Sequence, residues 1–286
     1  MKRTDNLKHK VLFSIPVASH STAIATVKPL PPQRKITGHK QTDAYLWVLD
    51  VIKTNEPAHL DSAEEALNKL KITPKEAQKR YSDYLMASGA NPMKIVFSTM
   101  NIDDPAAYLR GARKNIEKAA KVRAVFSTYE AALEDTEAEK RIKASEQYID
   151  DHFWGWTTSE RKAKSISGSR MFEIDDQRRA SVNGYCDALP EPETLSDVVR
   201  EFEYWDWLYG VRDVAYRELG DEYGYSEHHE SVSDRENYLE KLLATIKPVS
   251  RQEAIDVCKW VLDNELLNDL GERTNSIILN LVGECG

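Results

Sequence analysis

The stretch EFEYWDWLYGVRDVAY, Glu201–Tyr216, decides the fold class of this chain. Six aromatic rings lie within the fifteen residues that follow Glu201, interleaved with acids and arginines. At 100° per residue, Phe202, Trp205 and Tyr209 fall with other apolar side chains on a stripe about 120° wide. Rings at helical spacing are typical of a core helix, because a buried ring removes a large apolar area from water. The stretch therefore predicts a helix inside an all-α protein.

The same helix is apolar beyond that stripe. Tyr204, Trp207 and Val211 lie outside it, across much of the opposite side. A helix that is apolar over more than half its circumference is central in a bundle or is covered by something else. We favour the central position. Two alternatives stay open, which are a base-stacking or ligand site and a docking face with these anchors. Trp154 and Trp156 of DDHFWGW are further candidate anchors, although we favour an aromatic plug at a helix end for this segment.

Elsewhere the chain contains capped amphipathic segments. In TPKEAQKRYSDYLMASG, Thr73 is a helix cap, Pro74 stands at the first helical position and Gly89 ends the helix. SDRENYLEKLLATIK and SRQEAIDVCKWVLDN place Ser233 and Ser250 in the same capping role, and Cys258 on a core face. Residues 94–100 fit a strand and a buried helical turn equally well. These signals predict an all-α multi-helix bundle.

Composition divides the chain into two helical halves and two less regular segments. Residues 151–192 are rich in Ser, Gly, Pro and charge, which indicates a linker or a surface excursion. We predict the following regions: a flexible basic Pro-containing arm at 1–40, an N-terminal helical region at 41–150, the linker or excursion at 151–192, and a C-terminal helical region at 193–286.

Charge is distributed unevenly. The net charge is −8, yet residues 1–40 contain eight Lys or Arg and one Asp, which leaves −15 for the rest. An acidic body disfavours non-specific nucleic-acid binding, whereas a basic arm can contact phosphates or an acidic partner. The candidate arm residues for such contacts are Lys2, Arg3, Lys8, Lys10, Arg34 and Lys35.

Motifs for catalysis are absent from the sequence. It contains neither GxxxxGK[ST] nor GxGxxG nor GxSxG, so we predict no cofactor and no serine nucleophile. A metal-dependent hydrolase is the enzymatic alternative, because imidazole and carboxylate donors that converge on one point bind metal ions. Its candidate ligands are His152, His228, His229 and Glu227.

The leading hypothesis is a non-enzymatic α-helical interaction module, an adaptor or inhibitor of another protein, with a bacterial plasmid or phage as the expected genetic setting. The alternatives are the hydrolase and nucleic-acid binding through residues 1–40. No apolar run reaches membrane-spanning length, and three scattered cysteines suit a reducing cytoplasm. A cleaved signal at the N-terminus is a weaker alternative to the arm. The sequence leaves the oligomeric state open.

Overall fold

The structure, a computed structural model, describes residues 6–22, 27–220, 229–264 and 273–283. Every regular element in these ranges is a helix and no strand occurs in them, which confirms the predicted all-α multi-helix fold. No helix in these ranges is both long and apolar enough to cross a bilayer. The helices are α1 (Leu7–Leu12), α2 (Lys40–Lys53), α3 (Pro57–Lys69), α4 (Pro74–Ala87), α5 (Pro92–Thr99), α6 (Pro105–Phe126), α7 (Tyr129–Leu133), α8 (Glu137–Ala144), α9 (Thr158–Ala163), α10 (Gly168–Ser181), α11 (Leu195–Leu219), α12 (Glu230–Thr245), α13 (Arg251–Asp263) and α14 (Arg273–Val282).

The chain forms two compact units. Unit 1 consists of residues 1–17 together with 130–286, and unit 2 consists of residues 18–129. Unit 1 includes both the segment predicted as a linker, 151–192, and the region that follows it. That segment contains α9 and α10 and supplies core residues such as Tyr185 and Leu189. The predicted bounds of the four regions, and the linker role of residues 151–192, stay predictions.

Helix α11 is the central helix of unit 1. It contacts α1, α12 and α13, and its Trp205 and Leu208 are completely buried. Of its six rings, those of Phe202, Tyr204 and Trp205 are buried, while the other three are partly covered. The central-core interpretation of the opening stretch is therefore confirmed. The helix begins with a capping box, in which Thr194 accepts from the Asp197 backbone N–H and the Asp197 side chain accepts in return.

Helix α1 lies in unit 1, within the segment 1–40 whose composition predicts an arm and no helix. Asn6 caps it by accepting from the His9 backbone N–H. Phe13, directly after the helix, is completely buried and packs edge-on against Tyr204 and Trp205. Residues 7–13 are thus a structural part of unit 1.

The core of unit 2 is largely aliphatic. Helix α2 supplies Tyr45, Leu49 and Ile52, which pack against residues of α3, α4 and α6. Two features that the sequence predicts here are present: Thr73 caps α4 by accepting from the Glu76 backbone N–H, and Pro74 is the first residue of the helix.

Two local predictions in unit 1 are wrong. Helix α12 begins at Glu230, three residues before Ser233, which the sequence predicts as its cap. The ring of His229 accepts from the Ser231 backbone N–H and caps the helix earlier. Cys258 is exposed on α13, where the core side consists of Val257 and Val261.

Candidate functional site

A completely buried ionic group lies at the centre of unit 1. Arg235 on α12 donates from Nε to Glu201 Oε1 at 2.6 Å and from Nη2 to Oε2 at 2.9 Å. His9 Nε2 lies 2.8 Å from the same Oε2, and because a carboxylate only accepts, Nε2 carries the hydrogen. The side chains of all three residues are 0% exposed. The group joins α1, α11 and α12.

This buried ionic group has a structural role. Burial alone would raise the pKa of Glu201, but the Arg235 guanidinium and the hydrogen bonds outweigh burial and hold that pKa below its ordinary value. Arg235 Nη1 also donates to the carbonyl of Gly184, whose φ of +58° favours glycine. A Cβ there would lie 2.3 Å from the Tyr238 ring. A solute reaches none of the charged atoms, so the group carries no substrate chemistry.

Two more arginines form enclosed pairs in unit 1. Arg178 on α10 donates from Nε to both carboxylate oxygens of Asp234, and the Tyr185 hydroxyl donates to Asp234 Oδ2 at 3.0 Å. Burial and the Asp234 carboxylate raise the pKa of Tyr185. Arg212 on α11 binds both oxygens of Glu139 at 2.5 and 2.8 Å. Each buried carboxylate is neutralised by a planar guanidinium, the geometry that suits a buried pair.

A small cavity of about 170 Å³ lies beside the Arg212–Glu139 pair. Lys143 and His229 also line it, and Lys143 forms an ion pair with Asp135 in the same wall. The volume is below the roughly 300–1,000 Å³ of pockets that enclose a small organic ligand. Its charged walls are already paired, so we assign no ligand to it.

The predicted metal ligands are only partly within the structure. His152 is exposed and contacts the Phe153 ring, and His229 caps α12 through Nδ1. Glu227 and His228 lie outside the described residues. Among the residues that the structure describes, no three His, Cys, Asp or Glu side chains are placed to hold one metal ion. The hydrolase hypothesis stays a prediction.

The predicted partner anchors differ in their accessibility. Tyr204 and Val211 are buried in unit 1, at 5% and 9% exposure. Trp207 is partly covered and lies 5.9 Å from the Tyr204 ring. Trp154 and Trp156 are also partly covered. The structure does not test whether any of them contacts a partner.

The predicted arm residues lie at the surface where they are described. Lys8, Lys10, Arg34 and Lys35 are exposed, while Lys2 and Arg3 lie outside the described residues. The chain around Arg34 and Lys35 is fixed within unit 2: Trp47 Nε1 donates to the Pro31 carbonyl at 2.7 Å, and the Thr37 backbone N–H donates to Asp43 at 2.7 Å.

A group of neighbouring apolar side chains that unit 2 leaves open to solvent lies on and next to α5. We define the α5 surface as Met93, Val96, Phe97 and Met100, which are 63%, 57%, 65% and 54% exposed. No residue of α5 is buried. At helical spacing, Met93, Val96 and Phe97 share one side of the helix, opposite Ile95, Ser98 and Thr99, which are partly covered. The apolar side of α5 therefore points to solvent.

Local hydrogen bonds fix this orientation. Asn91 caps α5 by accepting from the Lys94 backbone N–H, and Gln78 of α4 donates to the Thr99 carbonyl at 2.9 Å. From the sequence, residues 94–100 fit a strand and a buried helical turn equally well. The segment is a helix, but the expectation of burial is wrong. The apolar composition was the available signal, and nothing in it shows which side of the helix the fold covers.

Comparison with protein-family models, with curated protein sequences and with solved structures finds no match for this chain. Its function is therefore argued from its own surfaces.

Proposed function

We propose that the protein is a non-enzymatic interaction module, an adaptor or inhibitor that binds another protein through the α5 surface. The observation that supports this proposal is the outward orientation of the apolar side of α5. Burying a large apolar side chain is worth about 1.5–3 kcal/mol relative to leaving it exposed. The fold forgoes that stabilisation at several neighbouring positions, which is typical of a surface that a partner covers.

The chemistry of the α5 surface also indicates the kind of partner. Phe97 and two methionines are side chains that are enriched at protein interfaces, and methionine adapts its shape to the groove that it fills. Lys94 is exposed on the same helix, and unit 2 as a whole has 17 Lys or Arg and 11 Asp or Glu, a net charge of +6. The complementary partner is a protein with an apolar groove bordered by carboxylates.

The test compares two phenylalanines of equal exposure. Phe97 is 65% exposed and Phe172 on α10 is 67% exposed, so Phe172→Asp is a matched control for Phe97→Asp. Tagged wild type and both variants are used to capture proteins from a cell lysate, with circular dichroism as the check of folding. We expect one protein bound at a 1:1 ratio by wild type and Phe172→Asp, and about 30-fold less bound by Phe97→Asp, the loss that a central hot spot produces.

The captured protein is then purified and titrated against the same three chains, and its binding must show the same order. Equal binding by Phe97→Asp, or no protein captured in stoichiometric amount, contradicts the proposal. A second copy of this chain is the other candidate for covering the α5 surface. Sedimentation of the wild type alone over a concentration series tests for it. Self-association that Phe97→Asp abolishes would show that a second copy covers the α5 surface, and it would overturn the proposed partner.

A further inference from the structure

A separate feature of unit 2 is a row of basic side chains along its longest helix. Unit 2 carries a net charge of +6, whereas unit 1, with 22 Lys or Arg and 36 Asp or Glu, carries −14. On α6, Arg110, Lys114, Lys118 and Lys121 are all exposed. We call these four residues the α6 basic face.

The geometry of the α6 basic face follows from helix periodicity. The four residues stand at i, i+4, i+8 and i+11, which places them within an arc of about 80° and over about 16 Å of helix. The core side of α6 is the opposite one, where Leu109, Ala112 and Ala119 are buried. The positive charges therefore form one straight row that faces solvent.

The carboxylates of unit 2 neutralise little of the positive charge of the α6 basic face. Arg110 lies 3.7 Å from Asp104, and Lys121 lies 2.7 Å from Glu117, but both pairs are well exposed. Exposed ion pairs are worth about 0–1 kcal/mol, so a stronger anion can displace either acid. Within the described part of the chain, Lys114 and Lys118 form no ion pair.

We propose that the α6 basic face binds the phosphate backbone of double-stranded nucleic acid. A straight row of cations fits a polymer with evenly spaced charges, and phosphates recur every 3.4 Å along each strand of a duplex. The row carries no aromatic ring on which an unpaired base would stack, and no large apolar side chain that would enter a bilayer. This inference goes beyond the proposed interaction module and rests on a different helix.

Salt dependence is the primary test. Binding of the full-length protein to a 20-base-pair DNA duplex is measured by fluorescence anisotropy at several salt concentrations. With about four phosphate contacts, the slope of log affinity against log salt is expected to be about −3.6, which weakens binding about 100-fold between 50 and 200 mM salt. A flat salt response would overturn the proposal.

Charge reversal localises the contact. Lys114→Glu combined with Lys118→Glu is expected to lower affinity at least about 10-fold and to reduce the salt slope by about 2. Lys75→Glu combined with Lys79→Glu is the control, because both lysines are exposed on α4 and the change in net charge is the same. An equal loss in both double variants would show a general charge effect and contradict the α6 basic face as the site.

Two further ligands test whether the partner is a duplex. A single strand of the same length is expected to bind more weakly than the duplex, and vesicles with anionic lipid are expected to compete poorly. Tighter binding to the single strand, or to the vesicles, would overturn the assignment to a duplex. Phe97→Asp serves as an internal reference in these titrations. It is expected to keep wild-type DNA binding, so failure of the α5 proposal and failure of this one are distinguishable.

Discussion

Among the described residues, buried arginine–carboxylate pairs distinguish unit 1 from unit 2, although Asp197 and Glu253 of unit 1 also accept from backbone N–H groups. In unit 1, Glu201 and Glu139 are each paired with an arginine inside the core. In unit 2, the buried carboxylates are Asp43 and Glu56, and they accept from backbone N–H groups, those of Thr37 and Ala58 among them. The unit 2 carboxylates therefore complete local turns and helix ends, whereas the unit 1 pairs connect elements that are far apart in sequence.

This difference teaches how each unit holds its helices together. A guanidinium that binds two carboxylate oxygens allows one register between two helices, because any shift leaves a buried charge unpaired. An aliphatic contact, such as that of Leu49 in the core of unit 2, tolerates small shifts. The cost in stability then grows with the volume that is left unfilled. We therefore expect unit 1 to respond to changes of charge and unit 2 to changes of volume.

The largest effect is expected for Arg235→Met. The variant leaves the Glu201 carboxylate buried without its guanidinium, which costs about 3–5 kcal/mol of unfolding free energy. Hydrogen exchange measured by mass spectrometry should rise in the peptides of α11 and α12, and it should stay unchanged in α2. Leu49→Ala is the matched change in unit 2, with an expected cost of about 2–5 kcal/mol and faster exchange in α2.

Arg235→Met combined with Glu201→Leu removes the charge along with its partner. We expect the double variant to recover at least half of the loss, since an apolar replacement of a buried pair is often neutral. A double variant as unstable as Arg235→Met would show that packing, and not the unpaired charge, sets the cost.

A smaller effect, confined to part of the pH range, is expected at Glu236 in unit 1. Burial and the nearby carboxylates of Glu240 and Asp206 raise the pKa of Glu236 to about 7. The folded chain therefore retains a proton that the unfolded chain releases above pH about 4.5, and stability falls as pH rises from there to about 7. Glu236→Gln should stabilise the protein by about 2 kcal/mol at pH 8 and have no effect at pH 4, as measured by urea denaturation. Glu65→Gln, an exposed position of unit 2, is the control and should show no such window. A pH-independent difference for Glu236→Gln would contradict the raised pKa.

The smallest effect is expected for the ion pair of Arg113 with Glu64 in unit 2. The two side chains are 53% and 40% exposed and their N–O distance is 2.6 Å. Because solvent and salt screen such a pair, Arg113→Gln should change the free energy of unfolding by less than about 1 kcal/mol. A loss close to that of Arg235→Met would remove the distinction between the two units.

Much of the fold could be predicted from local signals in the sequence. The caps at Thr73 and Ser250 act within one turn of a helix, so a short sequence window contains both partners of each bond. The aromatic stripe of α11 is likewise a property of one helix. His229 shows the limit of such signals, because its ring also accepts a backbone N–H and it replaces the more usual Ser233 as the cap of α12.

The candidate surfaces were harder to predict from the sequence. Tyr204 and Val211 were considered as exposed anchors, yet they are buried, because Phe13 and other distant residues cover that side of α11. The α5 surface was missed for the opposite reason, since an apolar segment is normally expected to be covered. The lysines of α6 were visible in the sequence, but their common direction depends on which side of the helix packs into the core of unit 2.

By itself the sequence determined that this chain is helical, where α4 and α13 begin, and that α11 belongs in a core. Periodicity and capping involve residues a few positions apart, and for that reason they survive without knowledge of the fold. Only the tertiary structure decided that His9 and Arg235 meet at Glu201, that α1 belongs to unit 1, and that the apolar side of α5 faces solvent. These outcomes depend on contacts between residues up to 192 positions apart, which the packing of whole helices establishes.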